Sequence, residues 1–313
     1  MKALYFETFG ESEVLQYGEL PRPTLKANEV LVKTAYIGLN FADIYRRRGD
    51  YHIEPNTPYI NGYEASGMIV ESENQTVLNK KVLFVDCPFA NAEFVAVSFE
   101  KLIFLPDDID LKLAASIGLQ GLTADFLAHD LGKNQPGDKV FVTGISGGVG
   151  QILGQMLLAD GCKVDGSASA AKAQVAQDFG AKCVFNSRST EWIEAQKAQY
   201  DTVYDGVGST LNQSISLLKN RGSVVFFGMA GGNPPAVDFI DLFSHSKNIL
   251  SGDLWDFLTS FDERKRRSER LFSYFLEGKI KISEQTIFNL ADGKAAHDFL
   301  EAGQNIGKVL LEP

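Results

Sequence analysis

The sequence predicts an α/β protein in which a β-rich, barrel-like domain precedes a doubly wound parallel sheet and is completed by the end of the chain. Short alternating apolar runs, broken by turn residues, occupy the first hundred or so positions. From about Asp110, apolar strands alternate with helical patterns, which is typical of a parallel sheet with helical crossovers. We therefore expect domains at 1–112 and 113–258, and a returning segment at 259–313.

Strands of the first domain are predicted from alternation of apolar and polar residues. They lie at 3–6, 29–35, 66–70 and 81–85. Pro21 and Pro23 mark an extended connection, because proline lacks the N–H that a central strand must donate.

The second half is predicted to contain six short apolar strands and several helices. The strands lie at 140–143, 162–166, 183–185, 202–204, 223–227 and 248–250, and helical spacing begins at 113–115 and 122–127. After Trp255 we expect a basic helix at 263–276, a strand near 287–288 and a helix at 294–300. A final strand at 307–311 is expected to return to the first domain.

Composition excludes several classes of partner. The 313 residues include 30 basic and 40 acidic side chains, and the net charge of −10 argues against general binding to nucleic acid or to an anionic membrane. No apolar stretch approaches a membrane span, and the first residues enter a strand pattern without a signal peptide. We therefore expect a cytoplasmic protein.

The residues that usually bind metals are scattered. Three cysteines, at 87, 162 and 183, and four histidines, at 52, 129, 245 and 297, form no pair with metal-ligand spacing. The sequence therefore predicts neither a zinc site nor a disulfide framework, and each cysteine is expected to pack as a small apolar residue.

A glycine-rich turn between a strand and a helix is the strongest functional signal. Glycines at 144, 147 and 150 follow the strand at 140–143, and apolar residues then recur at helical spacing. Glycine lets the backbone approach a pyrophosphate, and the helix N-terminus attracts its charge. The pattern predicts a dinucleotide site formed by Ser146, Gly147, Gly148, Val149 and Gly150. The alternative is an ordinary glycine-rich turn.

The second strand indicates which dinucleotide is bound. An NAD site usually ends this strand with an acid that accepts from the ribose hydroxyl. Asp165 is a candidate, but we place it within the strand, and Ser167, Ser169 and Lys172 follow it. Hydroxyls and a cation suit a 2′-phosphate, which favours NADPH over NADH. The alternative for Lys172 is a solvated lysine in the first turn of a helix.

Several motifs together resemble a known family. They are Gly38-Leu39-Asn40-Phe41-Ala42-Asp43-Ile44-Tyr45, Gly49-Asp50-Tyr51, Gly62-Tyr63-Glu64-Ala65-Ser66-Gly67, Gln120-Gly121-Leu122-Thr123-Ala124, the glycine turn, and Gly307-Lys308-Val309-Leu310-Leu311. From end to end the chain resembles the zinc-independent quinone oxidoreductases of the medium-chain dehydrogenase/reductase superfamily. The resemblance implies a Rossmann sheet and a GroES-like barrel.

Two positions separate the chain from the zinc-dependent branch of that superfamily. Asn40 stands where a zinc-ligating cysteine would stand, and Tyr63 replaces the ligating histidine. The cysteine-rich loop of the structural zinc is also absent. A Lewis-acid mechanism is thus not expected. The substrate should accept hydride without a metal, as a quinone or an alkene conjugated to a carbonyl does.

The sequence also departs from the family in two places. The segment from Val70 to Phe94 is short, which implies a more open substrate cleft. Asn186 and Ser187 occupy positions where many members have an aromatic residue or histidine near the adenosine. That contact is expected to be missing.

The resemblance assigns roles to several side chains. Asn40, Asp43, Tyr45 and Tyr51 are implied to lie at the nicotinamide and substrate mouth. Asn40 would bind ribose or substrate, and the tyrosines would stack on a flat ring or donate to a developing oxyanion. The alternatives are a buried turn residue and ordinary packing, while Asp43 is expected to orient Tyr45 or to cap a helix. Thr123 and the loop Phe227-Gly228-Met229-Ala230 would flank the nicotinamide and the diphosphate.

The main functional hypothesis is an NADPH-dependent reductase of quinones or enones. One alternative is an alkenal double-bond reductase, and another is a non-catalytic NADPH-binding sensor or structural protein. The segment at 247–252 is the candidate edge strand of the sheet. Because an unpaired edge exposes backbone donors and acceptors, we expect a homodimer.

Overall fold

The computed structural model describes residues 1–53 and 57–313 and divides the chain into two compact units. The β-rich unit comprises Met1–Leu119, Leu258–Phe272 and Glu284–Pro313, and the parallel-sheet unit comprises Gln120–Phe257 and Ser273–Ser283. The sequence placed the boundaries after residues 112 and 258. It also assigned residues 273–283, which cluster with the parallel-sheet unit, to the returning segment.

Strands are numbered in chain order. They are β1 (Lys2–Phe6), β2 (Gln16–Glu19), β3 (Glu29–Leu39), β4 (Tyr59–Ile60), β5 (Glu64–Glu71), β6 (Lys81–Val85), β7 (Phe94–Ser98), β8 (Leu102–Phe104), β9 (Lys139–Thr143), β10 (Lys163–Ala168), β11 (Val184–Asn186), β12 (Tyr200–Asp205), β13 (Leu218–Phe226), β14 (Asn248–Ser251), β15 (Thr286–Asn289) and β16 (Val309–Glu312).

Helices are numbered in the same way. They are α1 (Phe41–Arg48), α2 (Leu111–Phe126), α3 (Gly148–Ala159), α4 (Ala173–Asp178), α5 (Ile193–Gln196), α6 (Leu211–Leu217), α7 (Phe239–His245), α8 (Phe261–Leu276) and α9 (Gly293–Glu301).

The parallel-sheet unit is the doubly wound fold that the sequence predicts. Its six strands lie in the order β11-β10-β9-β12-β13-β14, and every pair is parallel. Strand order reverses between β9 and β12, and ligands of such sheets bind beyond the carboxyl ends of the strands at this point. The glycine turn follows β9, so the fold places the strongest sequence motif at the expected binding edge.

Among the described residues, the β-rich unit forms two sheets. One has the order β2-β1-β4, and the other has the order β15-β16-β3-β5-β6-β8 with β7 also paired to β3. The predicted return of the final strand is confirmed, since β16 pairs antiparallel with β3 and sets Leu310 opposite Gly38. This pairing brings the end of the chain beside Asn40, the residue that follows β3.

Helix α1 is anchored by a buried arginine. Arg47 has no exposed surface, and its guanidinium contacts both carboxylate oxygens of Glu301 at 3.0 Å and Nδ1 of His297 at 3.1 Å. Burial, assisted by the Arg47 charge, lowers the pKa of His297 to about 3. The imidazole is therefore neutral, and Nδ1 accepts the hydrogen bond from Arg47. This cluster ties α1 to α9.

Two predicted helices are one in the structure. The segments at 113–115 and 122–127 both belong to α2, which continues into a π-helical turn at Leu127–Gly132. Gly118 and Gly121 interrupt the apolar pattern between them and lower helix propensity. Gly118 is required by packing, because a Cβ there would lie 2.6 Å from Oε1 of Glu64.

Candidate functional site

The start of α1 holds two of the proposed acceptor-side residues. Asn40 is the N-cap, and its backbone N–H donates to Oδ2 of Asp43 at 2.9 Å. Burial raises the pKa of Asp43 to about 6, although the Arg46 guanidinium acts in the opposite direction. Asp43 therefore has the geometry of a helix cap, which is one of the two roles expected for it from the sequence.

Asn40 is surrounded by charged side chains that sequence reasoning left without a role. Its Oδ1 accepts from Nζ of Lys308 at 2.8 Å, and its Nδ2 donates to Oε2 of Glu64 at 3.0 Å. Lys308 and Glu64 pair directly at 2.5 Å. All three are at least 94 % buried, since Asn40, the most exposed, retains 6 %. The motifs that contain Glu64 and Lys308 were recognised in the sequence, but the contact of both side chains with Asn40 was not predicted.

Aromatic rings cluster after Asn40 around a second buried arginine. Tyr45 and Tyr51 meet edge to face with ring centroids 6.5 Å apart. The Arg46 guanidinium lies 5.0 Å from the Tyr51 ring centroid and 3.6 Å from that of Tyr63, and its Nε donates to the carbonyl of His52 at 2.9 Å. Tyr63, for which the resemblance implied the position of a zinc-ligating histidine, thus stacks against the Arg46 guanidinium.

In the parallel-sheet unit, the glycine turn has backbone features that are typical of a diphosphate site. Gly144 has a φ of +61°, and a Cβ there would meet nothing within 4 Å. A Cβ on Gly150 would lie 2.3 Å from the Gly144 carbonyl oxygen, so the helix can pack this closely only with glycine. Helix α3 begins at Gly148, after Ser146 and Gly147, and its first N–H groups lack helical partners.

The residues from which the sequence analysis predicted the choice of cofactor lie in two different environments in and after β10. Asp165 lies within the strand, as predicted, and accepts from the Cys183 backbone N–H and the Tyr200 hydroxyl, each at 3.0 Å. Ser167 is also buried within β10, whereas Ser169 follows the end of the strand. Asp165 is committed to the sheet, and no acid stands at the end of β10.

Lys172 closes the short turn after β10 and has a cationic neighbour. Partial burial, with a smaller contribution from the Arg188 guanidinium, lowers the pKa of Lys172. Arg188 lies two residues beyond β11. Its neighbours Asn186 and Ser187 were considered in the sequence analysis, but Arg188 was assigned no role. Lys172 and Arg188 thus place two positive charges after the ends of the neighbouring strands β10 and β11.

Two glycine loops of the parallel-sheet unit pack backbone against backbone. The Phe227 N–H donates to the Asp205 carbonyl at 2.9 Å, and the Ala230 N–H donates to that of Gly206 at 3.2 Å. Phe227, Gly228 and Met229 are half-buried in the loop after β13. Thr123, also half-buried, lies on α2.

Asp205 fixes the first of these loops and was not assigned a role from sequence. Its carboxylate accepts from the N–H groups of Val207 and Gly208 and from the hydroxyls of Thr210 and Ser214, at 2.5–3.1 Å. The sequence feature that could have identified Asp205 is an acid at the end of a strand, followed by Gly-Val-Gly and two hydroxyl residues. These bonds hold the loop open at the carboxyl edge of β12.

The part of the chain that the structure describes contains neither a metal-binding cluster nor a helix that could span a membrane. No group of three or more His, Cys, Asp or Glu side chains within them has an arrangement that would hold a metal ion. The expectation of a zinc-free site stays a prediction. Across residues 1–53 and 57–313, no helix combines the length and the apolar character needed to cross a bilayer.

Comparison with known proteins agrees with this geometry. Residues 26–95 match the alcohol dehydrogenase GroES-like domain, and residues 148–256 match the zinc-binding dehydrogenase family. A probable quinone oxidoreductase of Schizosaccharomyces pombe is 33% identical, over 96% of this chain and 94% of that protein. A 2-haloacrylate reductase of a Burkholderia species is 28% identical, over 91% of each chain.

A solved structure gives the same result in three dimensions. The Escherichia coli quinone oxidoreductase complexed with NADPH superimposes with a TM-score of 0.95 over 100% of both chains, at 30% identity. The antiparallel sheet completed by β16, the six-stranded parallel sheet and these matches lead to one conclusion. The chain belongs to the quinone oxidoreductases of the medium-chain dehydrogenase/reductase superfamily.

Proposed function

We propose that the chain is an NADPH-dependent reductase that delivers hydride to a quinone or to a quinone-like conjugated carbonyl. The observation that supports this most strongly is the end of β10, where Ser169 and Lys172 follow the strand, whereas the acid of the strand, Asp165, is bonded inside the sheet. The cofactor supplies the hydride, and the chain supplies binding, orientation and electrostatics.

The residues of the parallel-sheet unit fit NADPH. The turn from Ser146 to Gly150 would hold the diphosphate at the start of α3, where backbone approach is close and N–H groups are unused. Lys172 and Arg188 would bind the 2′-phosphate, with Ser169 as a hydroxyl donor. Thr123 and the loop 227–230 are proposed to flank the nicotinamide.

The β-rich unit is proposed to recognise the acceptor. Tyr45 and Tyr51 offer ring faces for a flat molecule and hydroxyls for the oxygen on which negative charge develops. Arg46, held between Tyr51 and Tyr63, fixes the segment that bears Tyr51. No group of three or more His, Cys, Asp or Glu side chains among the described residues is arranged to hold a metal ion, and catalysis is proposed to depend on positioning and hydrogen bonding.

An acceptor panel tests the proposal. We expect purified protein to oxidise NADPH rapidly with 1,4-benzoquinone or 9,10-phenanthrenequinone and more slowly with an alkenal or an acrylate. A flat quinone spreads the incoming charge over two oxygens, whereas an alkenal or an acrylate has a single activating carbonyl. Preference for the alkenal or acrylate would favour the double-bond reductase, and tight NADPH binding without turnover of any acceptor would favour a binding protein.

We also propose that two copies associate through the β14 edge of the parallel sheet. Strand β14 is the last strand of the sheet and pairs only with β13 within it. Helix α7 directly precedes it and exposes three large apolar side chains: Phe239 at 73%, Ile240 at 73% and Phe243 at 83%. A second copy would satisfy the strand edge and cover these side chains.

We expect light scattering to give twice the chain mass of 34.3 kDa at micromolar concentration. Ile249→Pro removes a backbone donor from β14, and Phe243→Glu places a charge in the exposed apolar stripe, so each should shift the protein towards monomer. Phe9→Glu alters another exposed phenylalanine, on the β-rich unit, and is the matched control. A wild-type monomer would contradict the dimer, and a dimer insensitive to both variants would contradict this surface.

A further inference from the structure

Two motifs far apart in the chain converge on Asn40 in the β-rich unit. Glu64 begins β5, and Lys308 immediately precedes β16. The Lys308 ammonium bonds Oε2 of Glu64 at 2.5 Å and Oδ1 of Asn40 at 2.8 Å. The side chain of Glu64 is 0 % exposed and that of Lys308 is 2 % exposed, so the two residues do not form a solvated surface pair.

The space around the carboxylate is fitted to it. A Cβ on Gly38 would lie 2.1 Å from Oε2 of Glu64, and one on Gly118 would lie 2.6 Å from Oε1. The Leu119 N–H donates to Oε1 at 2.6 Å. Charge burial of this kind is costly unless every group is bonded, and here both carboxylate oxygens have donors.

These contacts fix the orientation of the Asn40 amide. An ammonium only donates, so the atom facing Lys308 must be the oxygen Oδ1. The two protons on Nδ2 then go to the Gly38 carbonyl and to Oε2 of Glu64, each at 3.0 Å. No N–H of the amide is left for a ligand, and the oxygen can only accept.

We infer that Glu64 and Lys308 are positioning residues, which lock the Asn40 amide so that it meets a bound molecule only as an acceptor for a hydroxyl group. The inference rests on the proposed function, in which two molecules bring hydroxyls. One is the ribose of the nicotinamide nucleotide, and the other is the reduced, phenolic form of a quinone. A carbonyl oxygen would find no donor at Asn40, so stabilisation of a developing oxyanion falls to other groups.

The test removes both charges together, because a single replacement would leave the other charge buried alone. The double variant Lys308→Met/Glu64→Gln keeps similar side-chain volumes and releases the amide. Lys294→Met/Asp298→Asn removes an exposed pair on α9 of the same unit and is the control. Thermal unfolding establishes that each variant is folded.

NADPH dissociation constants are measured by fluorescence titration without any acceptor. Inhibition constants are measured for hydroquinone and for 1,4-dimethoxybenzene, which has the same ring without an O–H. We expect the double variant to lose roughly two- to tenfold in affinity for the hydroxyl-bearing ligand, the effect of one neutral hydrogen bond. The control pair and the dimethoxy compound should change by less than about twofold.

A higher NADPH dissociation constant alone would identify the ribose hydroxyl, and weaker hydroquinone inhibition alone would identify the reduced acceptor. A folded double variant that binds both as tightly as wild type would overturn the inference. Equal losses for hydroquinone and its dimethyl ether, with NADPH unchanged, would also overturn it. If the wild type binds NADPH but reduces no quinone, the acceptor assignment fails, and the NADPH titration still decides the role of the pair.

Discussion

Replacement of Lys172 by alanine is expected to weaken NADPH binding by roughly ten- to a hundredfold and to leave NADH binding nearly unchanged. A charge-assisted hydrogen bond contributes about 1.5–3 kcal/mol, and about 1.4 kcal/mol corresponds to tenfold in affinity. Lys172 follows the end of β10, where a 2′-phosphate would lie, and NADH has no such phosphate. The measurement is the dissociation constant of each cofactor by fluorescence titration.

Two further variants sharpen that experiment. Lys163→Ala removes an exposed lysine at the opposite end of the same strand and should change neither constant. Arg188→Ala should weaken NADPH less than Lys172→Ala, because Arg188 is the more exposed of the two cations. Equal losses for NADPH and NADH, or a wild-type preference for NADH, would contradict the assignment of this end of the sheet.

The stability of the protein is expected to fall by about 2.5 kcal/mol between pH 7 and pH 4.5 through His297 alone. The pKa of His297 is about 3 in the folded state, compared with 6.5 for an unperturbed histidine. Below pH 6.5 the imidazole therefore binds a proton in the unfolded chain but stays neutral in the folded chain until the pH approaches 3. The loss therefore begins near pH 6.5 and grows as the pH falls. Burial beside Arg47 is the cause.

The variant His297→Asn isolates this effect. Its amide oxygen replaces Nδ1 as the acceptor for Arg47, and asparagine does not titrate, so its stability should depend less on pH. Asp43, whose pKa rises to about 6, acts with the opposite sign between pH 6 and 4, and comparison with wild type cancels its contribution. Parallel loss of stability in wild type and His297→Asn, measured by urea unfolding at each pH, would refute the account.

Local patterns were sufficient for much of the fold. All six strands of the parallel sheet were located, because buried apolar runs bounded by turns are strong local signals. The glycine turn and the position of Asp165 within β10 followed from spacing alone. Strands β2, β4, β7 and β8 were missed, although Phe94–Ser98 in β7 alternates between buried and half-buried residues.

The interior of the candidate site was less predictable. Asn40 was singled out by its motif, but its contacts with Glu64 and Lys308 join residues 24 and 268 positions away. Periodicity reports on neighbours within a few residues, whereas these contacts depend on the pairing of β16 with β3. Arg188 was missed for a similar reason, since its relevance comes from the adjacency of β10 and β11.

The β-rich unit is assembled from three separated stretches of chain, and this determines the order in which the protein can be completed during synthesis. The strands of the parallel-sheet unit all lie between residues 139 and 251, so that unit can fold while later residues are still being added. Glu64 cannot form its ion pair until Lys308, which is 244 residues further along the chain, has been synthesised. Until then β3 lacks its pairing with β16, and the Glu64 carboxylate, which is buried in the folded protein, lacks the positive charge of Lys308. The nascent chain therefore exposes the part of β3 that later pairs with β16 until translation is nearly complete, and an unpaired strand edge is prone to mispairing.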